Sequence, residues 1–374
     1  MCQILPQCDY SDYDYWYYRF LAGDLDVTYD RSCDPKPPKL EELPVDVVME
    51  ILDKVDIETR FEIRKLSQTM QFAVDQLRTD IDEIVIVCHE NSICATIKAD
   101  NSSWKHDWSE EIYGGNFMKA AFDDLEFYLN PTKVQVDKFM IDAFCPGTVK
   151  PLVDWIVATS NRKSARFDMK AAYINTLDYN LTLKTLSVIK PGSLKILDTG
   201  YYNERKKKDE RIDMNRIKEM EQFKKVKNAY LDRLGVIQST DLSIFLNFQE
   251  FWITVQSMEP EDVVLLRNDL LSKPNFEKCV IRLITPFESL TGIARLFGSD
   301  GTDELSDFNV ECNIPNSAEV LYFHIEEGKI KVKKRDSTLS DDDEEEDSDT
   351  EEDSDDEQDS DEEQDLDDGS EMDE

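Results

Sequence analysis

From Val134 onward helix and strand signals take turns, and this alternation limits the available folds more than any other feature. VQVDKFMI alternates in period two and predicts a strand, and Val149 to Ala158 follows at helical spacing. ARFDMKAAYI predicts a second strand running into turn or helix, and Leu181 to Ile189 a helix ended by Pro191-Gly192. SLKILDTG reads as a strand, the charged NERKKKDERID as a loop, Ile217 to Phe223 as a short helix and KVKNAYLD as a strand. Leu242 to Leu246 predicts a helix and EFWITVQ a strand. Pro260 opens a helix to Leu271, with Glu261 and Asp262 in the first turn where the helix dipole favours acids. FEKCVIRLI is the next strand. Each strand–helix pair takes about 25–35 residues, the spacing of stacked β–α units. The expected fold class is therefore α+β: a small helical segment, then an α/β region built as a parallel sheet or a degenerate leucine-rich-repeat-like solenoid. Glu319 to Ile325 and Lys329 to Val332 predict a closing hairpin around Glu326-Glu327-Gly328.

Upstream, Leu43 to Met70 follows a different rule. Apolar residues fall at Leu43, Val47, Val48, Ile51, Leu52 and Val55, then at Phe61, Ile63 and Leu66, then at Met70, Phe72, Val74 and Leu77. These are three short helical stripes, with Pro44 where a first turn tolerates proline. Three helices in about 40 residues bury too little to stand alone and need a partner, either the rest of the chain or another protein. Between them and Val134, IDEIVIV (81–87) and ICATI (93–97) predict paired strands around His89-Glu90-Asn91-Ser92. KADNSSWKHDWSEEIYGGN reads as a loop with room for a short strand. Phe117 to Leu129 predicts a helix stopped by Asn130-Pro131.

Leu43-Pro44, Val47-Val48, Ile51-Leu52, Val55 and the Arg60–Leu66 segment resemble the F-box. Ile57 stands where many F-boxes carry proline, and Leu66 where valine is usual. Leu181–Asp198 (LTLKTLSVIKPGSLKILD), with Met220–Asp232, Phe251–Leu271 and Phe276–Leu283, resembles the FTH (FOG-2 homology) domain of F-box proteins of the F-box A type. The two resemblances cover roughly 40 to 290, and it is their order and spacing that make the combination specific. They imply a substrate-recognition subunit of a Skp–cullin–F-box ubiquitin ligase. Leu43, Pro44, Val48, Ile51, Leu52 and Leu66 are then expected to contact the Skp-type adaptor, and the FTH-like region an unknown protein target. The implied organisation is an N-terminal segment (1–38), an F-box (39–79), an FTH-like α/β region (80–335, best match 134–290) and an acidic tail (336–374).

Charge sets the tail apart. The 374 residues carry a net charge of −38, yet Ser340 to Glu374 alone holds 24 acids and no Lys or Arg, which leaves 57 acids against 43 bases elsewhere. Such a tail cannot bury apolar surface and is expected to be disordered. Ser340, Ser348, Thr350, Ser354, Ser360 and Ser370 each precede an acid by three residues, the spacing of acidophilic kinase sites. A solubilising or basic-protein-binding tail is at least as good an explanation, and it supplies the alternative function: an acidic histone- or basic-protein-binding chaperone. The acidic body disfavours nucleic acid. The N-terminal segment is tyrosine-rich (Tyr10, Tyr13, Tyr15, Tyr17 and Tyr18 around Trp16) and ends in Pro35, Pro37 and Pro38; packing onto the body or partial disorder is expected for it.

A search for chemistry returns little. The eight cysteines show no CxxC pair and read as reduced, intracellular thiols. The three histidines, His89, His106 and His324, lack metal-ligand spacing. Phosphate-binding glycine loops and a GxSxG elbow are missing. No signal peptide or membrane span is expected. The expectation is a non-enzymatic protein without cofactor, cytoplasmic or nuclear. The runs Arg205–Lys208 and Lys331–Arg335 read as exposed loop charges in preference to nuclear-import patches.

Overall fold

The computed structural model describes residues 10–26, 28, 40–143, 145–176, 178–199, 214–232, 234–298 and 306–336. The acidic tail, with Ser340, Ser348, Thr350, Ser354, Ser360 and Ser370, and the run Arg205–Lys208 lie outside the described residues. The chain divides into two units, Met1–Gln256 and Ser257–Glu374.

The first unit opens with α1 (Tyr10–Leu21), which carries the tyrosine cluster. Tyr13, Tyr17, Tyr18, Phe20 and Leu21 stay exposed, so these side chains do not pack onto the body as expected. Three short helices follow: α2 (Val45–Leu52), α3 (Ile57–Arg64) and α4 (Gln68–Gln76). Side-chain caps define their starts. The Asp56 carboxylate accepts from Thr59 N at 2.8 Å and the Ser67 hydroxyl from Met70 N at 3.2 Å, each satisfying a donor that a helix N-terminus leaves open.

A β-meander comes next: β1 (Thr79–Cys88), β2 (Ser92–Ala99) and β3 (Ser102–Ser109). The stretch read as a loop with room for a short strand holds the eight-residue strand β3. Asp100 and Asn101 make its tight turn at φ 51° and 63°, a left-handed geometry that Asp and Asn tolerate. After α5 (Glu110–Tyr113) and α6 (Phe117–Tyr128) the chain enters its β–α progression. This runs through β4 (Val134–Ala143), α7 (Pro146–Arg162), β5 (Asp168–Asn175), α8 (Tyr179–Ser187), β6 (Ile196–Asp198), α9 (Met214–Lys218), β7 (Asn228–Tyr230), β8 (Val236–Ile237) and β9 (Glu250–Val255). Leu242 to Leu246, expected as a helix, lies in a 3₁₀ helix, Ser239–Asn247. The strand order is β3-β2-β1-β4-β5-β6-β7-β9, with β8 against β9, and every pair from β1 to β9 is parallel. From β4 to β7 neighbours in the sheet are also neighbours along the chain, and β9 continues the order after the short β8. Crossovers of the right-handed sense usual for parallel strands place the connecting helices on one face. Ile84, Ile86, Phe139, Ile141, Ala172, Ile174, Leu197, Ala229 and Phe251 are buried on that side with Leu152, Val153 and Ile156 of α7. The layer has the chain-order progression of a solenoid and the parallel pairing of a sheet.

The second unit contains α10 (Pro260–Leu271), β10 (Lys278–Leu283), α11 (Thr291–Leu296), β11 (Asp307–Asn313), β12 (Glu319–Glu326) and β13 (Lys329–Asp336). Within it the order is β11-β12-β13-β10, antiparallel throughout. Cys279, Ile281, Phe323, Ile325, Ile330 and Val332 form its buried face. α10 starts as the sequence predicts, and the Glu259 N–H donates to Asp262 Oδ2 at 3.1 Å in a capping box. Lys331–Arg335, expected as loop charges, lies within β13.

Candidate adaptor-docking site

Six of the eight residues of α2, VDVVMEIL, are apolar, so its apolar surface wraps beyond a single stripe. Val48 and Leu52 lie four apart on the inward side and are 1% and 0% exposed. Both were expected to contact the adaptor. In this chain they fill the core of the helix cluster. Pro44, Val47 and Ile51, three and four apart, form a second face, which is open: Val47 is 41% and Ile51 42% exposed. Leu66, just past α3, is 73% exposed, whereas Ile57 is buried. Leu43 is half-buried and Pro44 exposed. Val45 and Phe72 are further exposed apolar side chains on α2 and α4. The expected set therefore splits, with Leu43, Pro44, Ile51 and Leu66 accessible and Val48 and Leu52 not. Val47, outside the expected set, belongs to the same apolar pattern and is exposed beside Ile51.

Arg60 stiffens this arrangement. The residue is 9% exposed, and its Nε and Nη2 donate to the carbonyls of Val55 (2.8 Å) and Asp53 (2.6 Å). A cation thus meets the open carbonyls and negative dipole end of α2. Arg64 pairs with Asp75 at 2.7 Å, linking α3 to α4.

Phe61 ties the cluster to the rest of the first unit. Its ring centroid lies 5.0 Å from His106, 5.1 Å from Tyr128 and 5.7 Å from Phe127, with Lys65 Nζ 3.8 Å above it. Trp104 Nε1 donates to Tyr128 Oη at 3.1 Å, Tyr128 Oη shares a 3.0 Å hydrogen bond with His106 Nε2, and Trp108 Nε1 donates to Asp124 Oδ2 at 3.0 Å. Burial lowers the pKa of His106 and raises that of Tyr128, so both are neutral partners at physiological pH. α3 is therefore held to β3 and α6 by an aromatic network.

The face of the parallel layer opposite its helices carries a second surface. Register aligns Met140, Tyr173, Asp198, Tyr230 and Trp252 across five strands, all half-buried. Tyr230 Oη donates to Glu250 Oε2 at 2.8 Å and its ring meets Trp252 edge-on at 5.3 Å. Lys138 Nζ sits 4.9 Å from the Tyr173 ring and pairs with Glu83 at 2.7 Å; Lys98 also pairs with Glu83.

Two of the described thiols, Cys88 and Cys279, are buried. Burial, with Asp142 nearby, pushes the Cys88 thiol up to about 12, and Cys279 is fully buried and shifted in the same direction. Among the described residues no group of three or more His, Cys, Asp or Glu could hold a metal ion, and no helix is long and apolar enough to cross a membrane.

A capped helix cluster with one uncovered apolar face, fused to a parallel layer whose second face is also open, has the build of a docking protein. Residues 40–82 match the F-box domain family and residues 150–300 the FTH domain family, and the chain belongs to the F-box proteins that carry an FTH domain. F-box A protein 224 of Caenorhabditis elegans is 24% identical over 312 residues, covering 77% of this chain and 77% of its own length. No solved structure matches. Both domains are of an adaptor type, and an F-box points to the adaptor role in a Skp–cullin–F-box ligase.

Proposed function

We propose that this chain selects protein targets for a Skp–cullin–F-box ubiquitin ligase. Its F-box (39–79) binds the Skp-type adaptor through Pro44, Val47, Ile51 and Leu66, with Leu43 at the edge, and the α/β region (80–335) holds the target. The observation that carries this is the division of labour on α2. One apolar face fills the chain's own core, while a second, equally apolar face is left in water. For the target, the ladder of Met140, Tyr173, Tyr230 and Trp252 supports the open side of the layer, since partly exposed aromatics are the side chains that anchor protein interfaces. The mechanism is proximity: held beside a ubiquitin-charged enzyme, target lysines experience a high effective concentration, and the chain itself makes and breaks no bonds.

The experiment is reconstitution of the full chain with the adaptor, the cullin–RING pair and the ubiquitin-charging enzymes. Lysines of the chain, being nearest, should be modified first. Replacing Val47 and Ile51 by Glu should abolish that modification without unfolding the chain. Equal modification of the variant would overturn the proposal.

A further inference from the structure

β11 is the outer strand of the antiparallel sheet in the second unit. Among the described residues it pairs with β12 alone, in an unbroken register from Asp307 opposite Glu326 to Asn313 opposite Val320. An open edge offers a row of backbone donors and acceptors, and proteins usually blunt it with lysine, proline or a bulge. β3, the edge strand of the first unit, carries the exposed Lys105. β11 (DFNVECN) has none of these three devices. Its burial is also incomplete. Phe308, Val310 and Cys312 lie opposite Ile325, Phe323 and Leu321, which are 0%, 0% and 1% exposed, yet all three stay half-buried. Phe308 meets Phe297, just past α11, at 6.3 Å, and the neighbouring Leu296 is exposed. The core face thus runs out to the edge without a closing strand. On the other face Asp307, Asn309, Glu311 and Asn313 are exposed. Glu311 is drawn inward to Arg335 Nη2 at 2.5 Å, and the Asn309 carboxamide oxygen to His324 Nδ1 at 2.7 Å.

We propose that β11 pairs with β11 of a second copy of this chain, antiparallel about a two-fold axis at Val310. Residues directly opposite in an antiparallel pair share a face. This register sets Asp307 against Asn313, Phe308 against Cys312, Asn309 against Glu311 and Val310 against itself. Apolar side chains meet on one face. On the other, each carboxylate meets a carboxamide, whose N–H groups can donate to it. Neighbouring registers fail. A one-residue slip turns apolar side chains against polar ones. A two-fold axis at Asn309 opposes Asp307 to Glu311, and one at Glu311 opposes Glu311 to itself; like charges directly opposite destabilise a sheet. Seven paired residues form about three or four hydrogen-bonded pairs, on the order of six to eight backbone bonds, and the added strand covers Phe308, Val310 and Cys312. The same patch serves on both copies, so the assembly closes at two. This interface goes beyond the ligase reading and gives one particle two adaptor-docking faces.

The test is sedimentation equilibrium of the full chain. Between about 1 and about 100 µM, the range expected of a small interface, the mass should rise from one copy to two. Amide hydrogen exchange over 307–313 should slow as the dimer forms. Asn309→Asp with Asn313→Asp, both at exposed positions, sets acid against acid along the seam. This pair should raise the dimer Kd about tenfold at about 0.1 M salt and less at about 1 M, where the screening length falls from about 10 to about 3 Å. Val310→Lys places like charges at the axis and should stay monomeric with an unchanged melting temperature. A natural chain that remains monomeric at about 100 µM overturns the proposal and leaves the edge to an extended segment of another protein. A dimer whose 307–313 amides exchange as fast as the monomer's, or one that forms equally well in both folded variants, overturns it too.

Discussion

Arg60 brings a charge into a site only 9% exposed and gives it to the carbonyls of Asp53 and Val55. Hydrogen bonds to charged groups contribute about 1.5–3 kcal/mol, so Arg60→Met should lower the unfolding free energy by about that amount, read from the denaturant midpoint. His106 makes a second residue-level prediction. Its folded pKa is lowered by burial, with Asp124, Glu62 and Glu58 opposing and Lys65 assisting, while the unfolded imidazole titrates near its ordinary value of about 6.5. The unfolded chain therefore takes up the proton first as pH falls. The His106 contribution to stability is complete above about pH 6.5 and is lost below it, down through the lower folded pKa. Thermal unfolding of His106→Gln between about pH 7.5 and 5.5 should show a flatter pH dependence than the parent chain, and equal slopes would contradict this.

Among the elements, α2 shows what pattern can and cannot reveal. Its apolar positions were legible, and so was the three-helix cluster, because periodicity reports that a residue avoids water. It does not report whether the chain's own core or a partner excludes that water, so the sequence grouped the inward Val48 and Leu52 with the open Ile51. Leu52→Ala should cost about 2–5 kcal/mol of stability, whereas Ile51→Ala should cost little and act on adaptor binding instead. α10 was legible to the residue because Pro260 and its capping box are local signals. β3 was read only as room for a short strand because its alternation runs through Trp104, His106 and Trp108, with serines and charges between, and its signal lies in the left-handed Asp100-Asn101 turn. In β1, β4 and β5 the buried alternation slips at one level, from Ile81 to Ile84, Val136 to Phe139 and Ala171 to Ala172, a feature that sheet pairing sets and no single strand announces. The contact of α3 with β3 and α6 gives the element-scale prediction. Phe61→Ala should cost about 3–5 kcal/mol and raise hydrogen exchange across 45–76 more than across β9.

For the whole molecule, the order of motifs carried the most information. Short helices followed by a β–α progression resembled an F-box followed by an FTH domain, and the family matches over 40–82 and 150–300 agree. The parallel order of the strands follows from chain continuity and crossover handedness, whereas the antiparallel sheet of the second unit depends on long-range pairing of β10 with β13. The central claim is that the face of α2 bearing Val47 and Ile51 docks the Skp-type adaptor. The most direct measurement co-expresses the full chain with that adaptor and passes the product over a size-exclusion column, beside a Val47→Glu, Ile51→Glu variant of unchanged melting temperature. The account predicts stoichiometric co-elution for the natural chain and two separate peaks for the variant. Co-elution of the folded variant, or separate elution of the natural chain, would contradict it.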